Sequence, residues 1–464
     1  MGNNSFSRSG LAAFQTNVDE GRGFSRREQR QAMTRSIAVA AVQLRARDRN
    51  DFDGALHSAL EAVRRCSHAD VVVLPEATFP AYVLGDASFD EARVNEALEQ
   101  LREIARSSRT VIVAGAVARD GGVARNRAVV IDADGSLAGR VDKLFLWHFD
   151  RRWFARGDRL APVQTSVATL GVMICADGRL PTIARTLVDR GAELLVMPTA
   201  WVTSGRDPEA LENVQADLLG RVRAYENRVP FVAANKCGVE LGMVAYCGKS
   251  QVADARGELV ALADQHRAET LQATVRLAAE RPARVMPDCL APCGVRPERS
   301  VRIAISCEAL PADTGSRLEM LDDEFALSPD DDARFAALAG SVPAARIDDA
   351  RMLDPGGVVP FRRAGYWLII WRTALGSPWV ERIARARALE LRVHVVVFDR
   401  AGERAFAVDP DGAVVAGTYG DYRLATFVFD PRKSAQTSVA PGTDVIEGLQ
   451  WVSELAEREE PAAT

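Results

Sequence analysis

The chain has 464 residues, 47% of them hydrophobic and 26% charged, with a formal net charge of −5. That length exceeds what one hydrophobic core usually holds and predicts one large domain with a smaller companion, in a chain of ordinary globular composition. A mildly acidic balance gives no electrostatic ground for a nucleic-acid or anionic-membrane partner, and no apolar run approaches the length that spans a bilayer. Seven cysteines, an odd number scattered through a long chain without a secretion signal, predict reduced thiols and a cytoplasmic protein. Cys289 and Cys293 make half of a metal-site pattern; no second ligand pair follows and the five histidines are far apart, so neither a metal nor a cofactor is expected.

In chain order, residues 1–34 are polar, rich in Ser, Asn, Arg and Gly, and predict a flexible tail. Residues 36–44 read as a first strand. Residues 51–66 carry Phe52, Leu56, Leu60 and Val63 at helical spacing, and 71–74 is a second, buried strand closed by Pro75-Glu76. A helix over 89–107 and a strand over 111–116 follow, then a hairpin of 126–132 with 136–142 turning at Asp134-Gly135. The apolar run 170–174 is a short buried strand ending at Cys175, broken by Ala176-Asp177-Gly178. A helix starts at Pro181, and 194–197 is the next strand. A helix over 209–227, a strand over 229–234, a hairpin of 249–254 with 259–263, and a strand over 270–277 complete this region. Strands that alternate first with helices and later with hairpins imply an α/β fold with a mixed sheet covered by helices. Residues 281–299, with four prolines and little periodicity, read as a linker.

Three strand ends carry chemistry. Cys175 lies between a strand and the helix behind it, beside free backbone N–H groups, which suits a nucleophile that must stabilise an oxyanion. A buried free cysteine serving as a small hydrophobe fits the same turn. Glu76 follows a buried strand and precedes Phe79, Pro80 and Tyr82, walls of a pocket in which desolvation raises a carboxyl pKa; a helix cap or loop acid is its ordinary alternative. Lys143 precedes the aromatic segment 145–154, and a lysine beneath aromatic rings steadies negative charge, where most lysines are merely solvated. Should the three converge, Glu76 accepts the thiol proton, Lys143 lowers the thiol pKa and steadies the oxyanion, and a thioester is hydrolysed with Glu76 again as base.

Taken in order, VVVLPEATFPAY around Glu76, GRVDKLFL around Lys143 and GVMICADGRLP around Cys175 resemble the three motifs of the nitrilase superfamily of carbon–nitrogen hydrolases. FARGD (154–158), PTAW (198–201), RAYENRVPFVAAN (223–235) and GKSQVADARGELVA (248–261) extend the resemblance over about residues 36–280. It implies an α-β-β-α sandwich over residues 35–280, a Glu–Lys–Cys triad at Glu76, Lys143 and Cys175, and the Ala176 backbone as oxyanion donor. Two departures stand out. The family's second Glu falls on Asp150, a shorter acid left to orient Lys143 or the substrate amine. Ala176-Asp177 replaces the Trp-Glu that follows the Cys in true nitrilases, which favours an amide or N-carbamoyl substrate over a nitrile. Tyr82, Trp147, His148 and Trp201 are pocket candidates, against the ordinary reading of aromatics near strand ends as packing.

A shorter copy follows the linker. SVRIAISC (300–307) is similar to SIAVAAVQ, RARALELRV (385–393) matches RVRAYENRV (221–229) at six of nine positions, AVDPDGAVVAG (407–417) mirrors VADARGELVAL, and LATFVFD (424–430) mirrors LQATVRL. The Glu and Lys motifs find no counterpart, and aligning 366–372 with the Cys175 segment puts Trp or Arg at the Cys position. Residues 300–435 are therefore expected to be a degenerate, non-catalytic domain. Family members pair sheet-to-sheet, so it is expected to pack on the catalytic domain as a built-in partner, with homo-oligomers left open. Residues 436–464 form a C-terminal tail with a helical stretch over 445–457 and an acidic end.

The expected activity is that of a cysteine-dependent amidohydrolase of a small amide or N-carbamoyl compound, releasing ammonia or an amine. A nitrilase, an acyltransferase passing the acyl group to an amine, and an inactive scaffold are the alternatives. No Gly-rich nucleotide motif supports an ATP-dependent synthetase.

Overall fold

The computed structural model describes residues 35–85, 88–203, 211–277, 281–286, 290–310 and 325–458; the expected tail (1–34) and Cys289 lie outside them. The first half opens with β1 (Ser36–Arg45), α1 (Phe52–Arg65), β2 (Val71–Val73), α2 (Glu91–Ser108) and β3 (Val111–Asp120). The Asp90 carboxylate caps α2 by accepting from the Ala92 and Arg93 amides. Next come the hairpin β4 (Val123–Ile131) and β5 (Leu137–Asp142), α3 (Asp150–Trp153), β6 (Val163–Gln164), β7 (Thr169–Val172), α4 (Pro181–Asp189) and β8 (Leu194–Pro198). A π-helical turn (Gln215–Leu219) leads into α5 (Gly220–Asn227) and β9 (Phe231–Ala234). The hairpins β10 (Lys236–Glu240)–β11 (Val244–Cys247) and β12 (Gln251–Ala253)–β13 (Leu259–Leu262) precede β14 (Glu269–Arg276).

These strands form two mixed sheets. One runs β11-β10-β1-β2-β3-β4-β5 with β14 also on β1, the other β13-β12-β9-β8-β7-β6. Alternation along the strands sorts the layers. Val39, Ala41, Val71 and Val73 share one core with β7, β8 and α4, whereas Ala40, Val42 and Val72 share another with α1 and α2. The expected helix over 209–227 starts later among the described residues, because the Asn213 side chain accepts from the Gln215 amide and Asn213 bonds to Asp217. The β10–β11 hairpin, absent from the sequence reading, has no apolar alternation; it buries the polar residues Lys236 and Glu240 instead.

The described part of residues 281–299 holds no regular element. Beyond it come β15 (Val301–Ser306), β16 (Phe325–Leu327), α6 (Asp332–Ala339), β17 (Ala344–Ile347), α7 (Asp349–Leu353), α8 (Pro355–Arg363), β18 (Leu368–Thr373), α9 (Trp379–Leu391), β19 (His394–Asp399), β20 (Arg404–Val408), β21 (Val414–Gly417) and β22 (Leu424–Phe429). α10 (Pro431–Ala435), the two-stranded β23 (Ser438–Ala440) and β24 (Thr443–Asp444), and α11 (Val445–Arg458) end the described chain. The pairing rules repeat. β15 is parallel to β16 and antiparallel to β22, as β1 is to β2 and β14. The order β17-β18-β19-β20-β21 follows β7-β8-β9-β12-β13, with a bulge at the same place in the last hairpin, Val252/Ala253 and Ala407/Val408.

This register corrects two readings. Residues 366–371 lead into β18, the counterpart of β8, and do not align with the Cys175 segment. Val71 pairs with Val39 and Phe325 with Ile303, so Pro329-Asp330 follows β16 as Pro75-Glu76 follows β2, and the Glu motif does have a counterpart. Between residues 71–76 and 325–330 only the proline is identical, too little to align without strand register.

The two halves meet through helices, where a sheet-to-sheet contact was expected. Arg223 on α5 donates to Glu226 (2.6 Å) and to Glu390 on α9, while Arg387 donates to Glu390 and Glu226, both at 2.7 Å. All four side chains are fully buried. Beside them Tyr225 stacks on Trp379 at 4.1 Å, and Arg185 on α4 bonds Asp354 at the start of α8. α11 lies on the first half so closely that a Cβ at Gly448 would come within 2.6 Å of the Phe145 ring.

Candidate active site

Glu76 leaves β2 where β3 has Gly115. A Cβ there would lie 2.2 Å from the Pro75 carbonyl and 2.7 Å from Glu76 Cα, so only glycine lets the acid's backbone pass. Lys143 follows β5 and Asp150 opens α3. Glu76, Lys143 and Asp150 are wholly buried. Lys143 Nζ donates to Glu76 Oε1 at 2.7 Å and to Asp150 Oδ2 at 2.5 Å. Asn126 Nδ2 also donates to Glu76 Oε1, leaving Oε2 buried without a partner among the described residues. Asp150 in turn accepts from the Tyr82 hydroxyl (2.8 Å) and the Trp147 amide (3.0 Å). The shorter acid therefore reaches the ammonium directly. Burial works against the charged lysine, yet Asp150, Glu76 and Cys175 together hold its pKa well above the usual value.

Cys175 starts a 3-10 turn (Cys175–Arg179) with its own φ at +48°, a left-handed conformation that a non-glycine residue adopts at a cost. Asp177 holds that elbow: its carboxylate accepts from Ile174 (2.9 Å), Leu144 (3.1 Å) and Phe145 (2.7 Å) amides, tying the Cys175 turn to the Lys143 loop. Burial pushes the Asp177 carboxyl up to about 7 against these three donors. At Cys175, burial and then Glu76 push the thiol far up, while Lys143, Thr199 and the Ala200 amide pull it down by less. The expectation that Lys143 lowers the thiol pKa holds in sign. Burial and the Glu76 charge outweigh that pull and favour the neutral thiol.

Cys175 and Ala176 open on a cavity of about 800 Å³ lined also by Trp147, Arg179, Trp201 and Gln215. Of the four pocket candidates, Trp147 and Trp201 are there. Tyr82 and His148 are not: Tyr82 is buried behind Lys143 with its hydroxyl on Asp150, and the His148 amide donates to Thr443 Oγ1 at 2.7 Å. Arg179 was not anticipated. Its guanidinium stacks over Trp147 at 4.3 Å, its Nε is buried without a partner among the described residues, and burial pushes its pKa down to about 10. Asn126 and Asp177 were likewise missed as site residues. The first lies mid-strand with no motif to mark it, and the second sits two residues after the Cys, where it was weighed only as a clue to substrate. Among the described residues no group of three or more His, Cys, Asp or Glu is placed to hold a metal, and no helix is long and apolar enough to cross a membrane.

Fold and site define a carbon–nitrogen hydrolase of the nitrilase superfamily. The carbon-nitrogen hydrolase family model matches residues 38–285, and the chain belongs to that family. It is 31% identical to a nitrilase of Pyrococcus abyssi over 47% of this chain and 80% of that protein. To a citrullinase of Francisella tularensis it is 29% identical over 52% and 88% respectively. A crystal structure of a carbon-nitrogen hydrolase from Helicobacter pylori, 27% identical, covers 52% of this chain and 89% of its own with a TM-score of 0.47.

Proposed function

We propose that the protein hydrolyses a small amide or N-carbamoyl compound through a thioester on Cys175. The observation that carries this reading is the buried Lys143 ammonium bonded to both Glu76 and Asp150, beside a thiol on a strained turn that opens to a cavity. The thiol proton passes to Glu76 as sulfur attacks the carbonyl. The unpartnered Oε2 is the oxygen free to accept it. Negative charge gathers on the carbonyl oxygen, where Lys143 and the Ala176 amide stabilise it. Collapse breaks the C–N bond and Glu76 returns the proton to the leaving nitrogen. Water then gives a proton to Glu76 and attacks the thioester, releasing the acid and restoring the thiol. Asp150 and Tyr82 fix Lys143 throughout.

Relatives named citrullinase and N-carbamoylputrescine amidase support a ureido or amide substrate, and relatives named nitrilase keep nitrile hydrolysis as the second reading. The unpartnered edge of Arg179 favours an acyl group that ends in a hydrogen-bond acceptor such as a carboxylate. The reading is tested by mass spectrometry after brief exposure to a panel of amides and N-carbamoyl compounds. An acyl adduct on Cys175, absent from Cys175→Ala, is expected; turnover without dependence on Cys175 rejects it.

A further inference from the structure

The far side of the cavity belongs to the other half of the chain. Arg392, Asp411, Lys433, Gln436 and Ser438 line it across from Cys175. Arg392 gathers this rim: it donates to the Pro410 carbonyl (2.6 Å), Asp411 (2.8 Å), the Gln436 carbonyl (2.8 Å) and the Lys433 carbonyl (3.3 Å). Lys433 is held by Asp409 at 2.5 Å. The bond from the His148 amide to Thr443 then ties the rim to the loop that carries Asp150.

The same half reproduces the catalytic half bond for bond where the two meet. Arg221 Nε donates to the Gly257 carbonyl at 2.8 Å, and Arg385 Nε to that of Gly412 at 2.9 Å. Arg223 Nε donates to the Gly178 carbonyl at 2.9 Å, and Arg387 Nε to that of Met352 at 3.2 Å. α5 and α9 both end on a left-handed arginine, Arg228 (φ +56°) and Arg392 (φ +53°). Each arginine of the buried quartet spans its own glutamate and the other half's, which is the reciprocity of a twofold contact. What the second half lacks is the machinery. α6 runs directly from β16 to β17, so the strands that carry Asn126 and lead to Lys143 have no place. With Pro355 opening α8 as Pro181 opens α4, Asp349 stands where Cys175 does.

We propose that residues 300–444 are a second, non-catalytic copy of the fold kept as a resident subunit, and that the edge it turns to the cavity selects the distal end of the substrate. This rests on the amide-hydrolase reading. The shared contact surface explains why the copy persists without chemistry: removing it would uncover the quartet and open one side of the site. Selection by the rim acts on parts of the substrate remote from the scissile bond, so it appears in relative rates across a series of acyl chains.

The test uses the full chain with Ser438→Trp and, separately, Gln436→Trp, both at exposed positions. Straight-chain aliphatic amides from acetamide to octanamide are compared for kcat/KM, together with the thermal midpoint. The expected result is an at least tenfold drop in the long-to-short ratio of kcat/KM, arising in KM, with the midpoint unchanged. An equal loss across the series, or an unaltered ratio in both variants, overturns the proposal while leaving the hydrolase reading intact. Failure of the unsubstituted protein to form any Cys175 adduct overturns the hydrolase reading itself, and this inference with it.

Discussion

Glu76 and Asp330 follow equivalent strands and each succeeds a proline, yet they have become different groups. Glu76 is fully buried, bonded to Lys143 and Asn126. Asp330 has a side chain 70% exposed and pairs with Arg400 on the surface. Both sequences put an acid after a strand; only the first half adds β3, β4 and β5, which wall the acid off and deliver a lysine to it. What surrounds the acid decides what it can touch, and the missing strands matter more than the acid's identity.

That contrast is broken most directly by substitution at the two acids and the thiol. Cys175→Ala and Glu76→Gln are expected to lower kcat/KM on any amide that is turned over by at least about 10³-fold, since each removes a group acting in the bond-making step. Asp330→Asn is expected to stay within about twofold, because a surface ion pair contributes little. Steady-state rates on the three variants decide it, and a large loss in Asp330→Asn would mean that the second half takes part in chemistry.

The quartet offers a sharper comparison, because here the halves should respond alike. Removing one partner of a buried, hydrogen-bonded charge network leaves the others uncompensated at a cost of about 3–5 kcal/mol. Glu226→Ala and Glu390→Ala should therefore both lower the unfolding free energy by that order, read from urea denaturation of the full chain. Replacing all four members together by apolar residues of similar volume should cost far less than either single change. A large effect at Glu226 with none at Glu390 would break the symmetry between the halves.

Much of the catalytic half is legible in the sequence because its signals are local. Apolar runs mark β1, β2 and β8, turn residues mark Asp134-Gly135, and each of Glu76, Lys143 and Cys175 ends a recognisable strand. Residues whose role is set across the chain leave no such mark. Asp177 acts by accepting amides from residues 144 and 145, Arg179 by stacking on Trp147, and Asn126 by reaching an acid carried by another strand. The second half is harder still, since its likeness to the first lies in hydrogen-bond register: the bulges, the strand order and the arginine bonds recur while most of the side chains differ.

The smallest expected effect concerns the proton on the nucleophile. A free cysteine thiol titrates near about 8.5, and at Cys175 burial first, then the Glu76 charge, push that value up, with Lys143 pulling the other way. A raised thiol pKa means that the neutral form persists through pH 9, so alkylation of Cys175 by iodoacetamide should show no inflection near 8.5. Glu76→Gln removes one of the upward pushes, and its alkylation inflection should lie at lower pH than in the unsubstituted protein. Lys143→Met removes the pull and should move the inflection the other way. Peptide mass mapping after timed alkylation from pH 6 to 10 reads both shifts as rates, since at any pH below the inflection a lower thiol pKa gives more thiolate and faster alkylation. Opposite signs are required, because the two side chains carry opposite charges beside one sulfur; shifts in the same direction would mean that the substitutions act by loosening the pocket to water.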